Sequence, residues 1–246
     1  MANGFDPRAT ARPQPGMAGV GRESVARDAG LRSYMLSVYN YMASGVLLTG
    51  IVALLFAQSG LAAQVFLGGG ILKWVIIFAP LLMVFAFGAA VTRMSTAGLQ
   101  AMFWAFAAVM GLSLSSIFLV FTGSSIAQTF FATAVAFLSL SLYGYTTKRD
   151  LSGLGTFLIM GVVGLIVASL LNLFLQSSAL HWAISAIGVL LFAGLTAYDT
   201  QRIKSLYFHV AGSDMLGKTA IMGALSLYLD FVNMFTFLLQ FMGQRD

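Results

Sequence analysis

Apolar residues along this chain come in long unbroken runs, and short polar or charged stretches separate one run from the next. The strict alternation of a half-buried strand is absent, as is the narrow apolar stripe of a water-facing helix. Each run is close to the about 20 residues that an α-helix needs to cross about 30 Å of hydrocarbon. The pattern predicts seven spans, over 36–57, 74–92, 98–121, 126–145, 154–175, 181–200 and 220–242. Residues 1–33 lack an apolar block and carry Pro7, Pro13 and Pro15 among arginines, so they are expected to form a disordered cytoplasmic tail. They do not fit a cleaved signal peptide, and Asp6, Glu23 and Asp28 argue against an Arg-rich transit peptide. Near residue 24 the pattern turns helical, with Ser24 a candidate cap for a short amphipathic lead-in. The expected organisation is therefore a tail over 1–33 and a transmembrane domain over 34–246.

Composition sharpens this into an all-α integral membrane protein. Hydrophobic residues make up 59% of the 246 and charged residues 9%, with a mean hydropathy of +0.90. A soluble domain carries about 25% charged residues, so this chain cannot cover a water-facing surface. There is no Cys, which removes disulfides, thiolate metal sites and cysteine nucleophiles, and two histidines, His181 and His209, are too few for a histidine-built zinc site. Both are expected in loops. No cofactor is implied. The Gly68-Gly69-Gly70 run follows no strand and reads as a flexible loop, while glycines and serines such as Gly153, Gly161, Gly164, Gly111, Ser113 and Ser116 read as close helix packing. Trp74, Trp104 and Trp182 are expected near span ends, at the membrane interface.

The net charge of +5 acquires meaning only by position. With the N-terminus inside, 11 of the 13 Lys and Arg residues fall on the inner side and two, Lys73 and Arg245, on the outer. That split predicts a cytoplasmic N-terminus, and it marks the bases as topology signals, not a nucleic-acid surface. The C-terminus is then outside if the last segment crosses, or cytoplasmic if that segment is re-entrant.

Six of the eight acids lie in tails or loops, and Asp199 and Asp230 do not. An aspartate near the bilayer centre costs about 2.5–3.5 kcal/mol on insertion scales, and such residues face the bundle interior and mark function. Ser226, Asp230 and Asn233 form one polar stripe on the seventh span; Thr196, Asp199 and Arg202 form another on the sixth. Facing each other, two carboxylates would share one proton and act as a pH sensor. Doubly ionised, Asp199 and Asp230 would also be a transient Ca²⁺ site, short of the 6–8 oxygens of a tight one. Depth is the condition on this pairing: the two meet only if the seventh helix begins late, near Gly223, or the sixth runs on through Tyr207. Arg93, closing the second span, is the candidate cation for Asp199.

Two motifs carry a resemblance. Tyr198-Asp199-Thr200-Gln201-Arg202-Ile203-Lys204 and Ala224-Leu225-Ser226-Leu227-Tyr228-Leu229-Asp230-Phe231-Val232-Asn233-Met234-Phe235 resemble the paired C-terminal signature of the Bax inhibitor-1 family, and Val38-Tyr39 with Met42-Ala43-Ser44-Gly45 resembles its opening. The likeness covers roughly 31–242 and points to a bacterial-type member of an inner (plasma) membrane. It implies six helices surrounding a central C-terminal helix and a pH-sensitive Ca²⁺ leak channel gated by two hydrogen-bonded aspartates, Asp199 and Asp230 by position. Arg93 sits where that family's bacterial branch has an arginine paired with the first aspartate. The branch also has a glutamate about three turns earlier in the same helix, and Pro80-Leu81-Leu82-Met83 offers none. Other bacterial relatives modulate a membrane-anchored quality-control protease, for which the tail would be a handle.

Enzyme alternatives fit less well. An intramembrane aspartyl protease also pairs Tyr-Asp with a second Asp, but Leu227, Tyr228 and Leu229 stand where it has Gly-x-Gly, and its Pro-Ala-Leu element is missing. No Lys in the seventh span could form a retinal Schiff base. Serine-protease spacing is absent, and no internal repeat suggests a transporter.

Overall fold

A computed structural model describes residues 15–245, with side chains described from Arg27 onward. The chain folds as α1 (Pro15–Gln58), the short α2 (Leu61–Leu67), α3 (Leu72–Arg93), α4 (Thr96–Leu114) prolonged by a 3₁₀ stretch Ser115–Leu119, α5 (Gly123–Thr146), α6 (Ser152–Leu175), α7 (Ser178–Val210) and α8 (Met215–Met242). All but α2 are long and apolar enough to cross a membrane, seven spans as expected. The breaks fall where small polar residues cap the next helix: Ser95, Thr122 and Ser177 each turn a side-chain oxygen to a backbone N–H three residues on. Gly69, at φ 75°, makes the turn between α2 and α3 that a side chain would resist.

Several expectations need correction. The tail assigned to 1–33 lies outside the described residues up to 14, and from Pro15 it is the beginning of α1, which passes through Ser24 instead of starting there. Leu31 is buried, so packing against the bundle begins before the first apolar run does. His181 and His209 lie in the first and last turns of α7, not in loops. Trp104 sits two turns inside α4, its indole N–H reaching Ser44 Oγ at 3.5 Å.

Helix packing separates the small residues that matter from those that do not. A Cβ on Gly144 would sit 2.2 Å from the Ala197 carbonyl oxygen, and one on Gly111 2.7 Å from that of Thr49, so α5 touches α7 and α4 touches α1 at backbone level. Gly161 lies against Leu191, but Gly153 and Gly164 face open space and are not packing glycines.

The most enclosed span is α8, with 61% of its 18-residue apolar stretch buried against 39% or less in any other span. Its main neighbours are α1, α4, α5 and α7, while α3 lies against α4 and α6 against α7. Tyr228 is wholly buried, with the rings of Phe103 and Phe106 edge-on at 6.0 and 5.5 Å. The two ends of α8 lie on opposite faces. At its start Lys218 Nζ donates to the Val91 carbonyl at the end of α3 (3.3 Å). After its end, Thr122 N–H donates to the Gln244 carbonyl (3.1 Å), and Gln244 N–H to Ser125 Oγ (2.9 Å). Because α4 joins the end of α3 to the start of α5, α8 crosses alongside it, and the re-entrant alternative falls away. The ends of α3, α5 and α7 therefore share one face with Arg93, Lys148, Arg149, Arg202, Lys204 and Lys218, the basic face.

Candidate functional site

The site begins with helix length. At about 1.5 Å per residue, the 33 residues of α7 run to about 50 Å, well beyond about 30 Å of hydrocarbon. α7 passes through Tyr207 to Val210, so Asp199 lies deep in a long helix instead of near its end. Contacts along α8 fix the register. Ile203 lies against Gly223, and the rings of Phe192 and Phe237 stack at 5.9 Å. Asp199 lies seven residues from Phe192, and Asp230 seven from Phe237 in the same direction along the bundle, which brings the two acids to one level.

Both acids are buried, Asp199 to 9% and Asp230 to 4% exposure. Asp230 Oδ2 is enclosed with no hydrogen-bond partner among the described residues. An unpartnered buried polar oxygen costs about 1–3 kcal/mol, more when charged, so this carboxyl group is held in place by the packing of α8 and not by a hydrogen bond at that atom. Asp199 faces Arg202, whose guanidinium Nη1 is 3.7 Å from Oδ1; the Arg202 side chain is 55% exposed, so the pair is a weak one.

Not every anticipated neighbour joins the acids. Arg93 closes α3 as an exposed residue, and the ion pair that Asp199 makes is with Arg202, one turn along its own helix, where i,i+3 spacing provides contact that a residue on α3 does not. Thr196 is fully buried and donates to the Phe192 carbonyl (2.8 Å); half-buried Asn233 donates to that of Leu229 (2.8 Å). Both spend a donor on their own helix. Ser226 is half-buried.

Thr200, the residue after Asp199, belongs to a line of hydroxyls that the sequence does not announce. Thr200 Oγ1 donates to the Thr196 carbonyl (2.8 Å), which makes Ser141 Oγ the donor to Thr200 (2.9 Å) and Tyr39 the donor to Ser141 (2.5 Å). The line ties α1, α5 and α7 together next to Asp199. Thr200 and Ser141 were visible as polar residues in apolar spans, but no periodicity pairs positions 59 and 102 residues apart. On the basic face Lys204 Nζ donates to the Tyr145 carbonyl (2.7 Å) and lies 4.7 Å from that ring.

Two carboxylates are all the anionic chemistry of this site, and among the described residues no three His, Cys, Asp or Glu side chains gather to hold a resident metal. What the arrangement can do is exchange protons and meet a passing cation.

Comparison with known proteins agrees with the motifs. Residues 31–246 match the family described as inhibitor of apoptosis-promoting Bax1. The chain is 45% identical to the inner membrane protein YbhL of Escherichia coli (strain K12), over 88% of this chain and 94% of that one. It is 48% identical to an uncharacterized protein of Rickettsia prowazekii, over 89% and 92%, and 35% identical to an uncharacterized membrane protein of Streptococcus pyogenes, over 89% and 96%. With seven apolar spans, the paired Asp motifs on α7 and α8, and a family match over nearly all of its described length, this chain belongs to the Bax inhibitor-1 family of multi-pass membrane proteins.

Proposed function

We propose that this protein is a pH-sensitive Ca²⁺ leak channel of a bacterial inner membrane, with its N-terminus in the cytoplasm, and that Asp199 and Asp230 share a proton that sets its gate. The observation that carries the reading is the burial of two acids at one level on adjacent helices, one of them with an enclosed oxygen that has no partner. A proton held between such carboxyls supplies the missing hydrogen bond, and its loss leaves two like charges in a medium of low dielectric. The force between α7 and α8 changes sign with that proton, and the seam between these helices is the element that moves. The permeant ion is substrate here, not cofactor: two carboxylates dehydrate Ca²⁺ only in part and release it readily. The orientation rests on the 11 to 2 division of bases. The inner-membrane assignment follows the Escherichia coli relative, which is an inner membrane protein.

The test is Ca²⁺ entry into proteoliposomes from mildly acid to mildly alkaline pH. Wild type shows a flux that changes with pH, and Asp199→Asn and Asp230→Asn each abolish the change, because an amide cannot titrate. Absence of flux at every pH, or an unchanged response in both variants, would sink the channel reading. In that case the family resemblance leaves a role as a binding partner of a membrane-anchored protease, checked by co-purification with and without residues 1–14.

A further inference from the structure

Lys148 and Arg149 belong to the loop between α5 and α6, and Arg202 to α7, yet all three line one crevice of about 340 Å³ on the basic face. That volume lies within the about 300–1,000 Å³ of small-ligand sites. The loop is held in place. Gln201 Oε1 accepts the Leu151 N–H (2.8 Å) while Gln201 Nε2 donates to the Arg149 carbonyl (2.8 Å), so one side chain of α7 grips the loop at two points. Tyr198, which also lines the crevice, lies against Gly155, where a Cβ would meet the ring at 2.4 Å.

The charges in the crevice do not cancel. Asp150 is the only acid lining it, and one of its oxygens accepts both the N–H and the O–H of Ser152, which hold this carboxyl below the usual carboxylate range. Lys148 and Arg149 are exposed, and the one salt bridge among the described residues is the 3.7 Å pair of Arg202 with Asp199. Three cations from two segments thus converge on a preformed crevice with a single, already engaged carboxylate. Arginine forks fit the oxygen pairs of a phosphate, and a lysine adds a mobile point charge.

We propose that this crevice binds a phosphate-bearing anion, which competes with Asp199 for Arg202. The loop joins two span ends and so lies at headgroup depth, where either an anionic lipid or a free phosphate can supply the group. Site and competition are both read out by binding alone, so they stand or fall separately from the channel reading.

The full chain in neutral detergent is titrated with inorganic phosphate by calorimetry, and its retention of phosphatidylglycerol against phosphatidylcholine is followed by native mass spectrometry. Wild type binds at least one of the anions, and Lys148→Gln combined with Arg149→Gln weakens that binding about tenfold or more, the scale of a charge-assisted hydrogen bond. A calorimetric phosphate signal assigns the free anion; phosphatidylglycerol preference without it assigns the headgroup. Binding of neither, or equal binding by the folded double variant, overturns the site. Asp199→Asn tightens binding by releasing Arg202, Arg202→Gln weakens it, and Arg202→Lys, which keeps charge but loses the fork, falls between. Unchanged affinity in both Asp199→Asn and Arg202→Gln overturns the competition.

Discussion

Tyr228 stands two residues before Asp230 and shows how single side chains fix this bundle. Its ring fills the centre of the aromatic cluster, and its hydroxyl lies 2.7 Å from Thr49 Oγ1, which itself donates to the Ala107 carbonyl (2.8 Å). The phenol is therefore the donor, and Thr49 keeps one partner when the phenol is removed. Tyr228→Phe is expected to cost about 0.5–1.5 kcal/mol, the net value of one hydrogen bond, whereas Tyr228→Ala empties the cavity and costs about 3–5 kcal/mol. Reversible unfolding of the two variants in detergent checks the ratio; equal losses would mean that the hydroxyl, not the ring, carries the contact. The neighbouring acid has no such partner at Oδ2, and that contrast within one turn of α8 is what singles Asp230 out.

At the scale of elements, the site depends on α5 and α8 approaching α7 closely. α5 does so through Gly144, whose missing Cβ leaves room for the carbonyl of Ala197, two residues from Asp199. Backbone cannot swing aside as a side chain can, so Gly144→Ala pushes the helices apart and is expected to destabilise by about 1–3 kcal/mol. Gly164→Ala meets nothing within 4 Å and serves as the control, neutral or slightly stabilising through helix propensity. Thermal unfolding in detergent distinguishes them, and equal melting temperatures would refute the backbone contact. From composition both glycines look alike; only the packing of α5 on α7 tells them apart.

The whole molecule is polarised, with six bases on the face that holds the ends of α3, α5 and α7. The absence of Cys makes its orientation measurable without background. Ser59→Cys, after α1, and Ser213→Cys, between α7 and α8, are both exposed and lie on opposite faces. In intact bacterial cells made permeable at the outer membrane, a membrane-impermeant maleimide is expected to label position 59 and not position 213. The reverse pattern would overturn the cytoplasmic placement of the N-terminus.

The run lengths of apolar residues alone determined seven spans, because a helix in lipid must satisfy its own backbone and has a fixed rise per residue. The sequence likewise singled out Asp199 and Asp230, since a carboxyl group in hydrocarbon is too costly to be incidental. It did not determine that helix α1 begins at Pro15, that Arg202 and not Arg93 pairs with Asp199, or that Tyr39, Ser141 and Thr200 form one line. Those outcomes depend on the rotation and depth of helices far apart in sequence. Rotation and depth are set by contacts such as Gly144 on Ala197 and Phe192 on Phe237, which exist only once the bundle has packed.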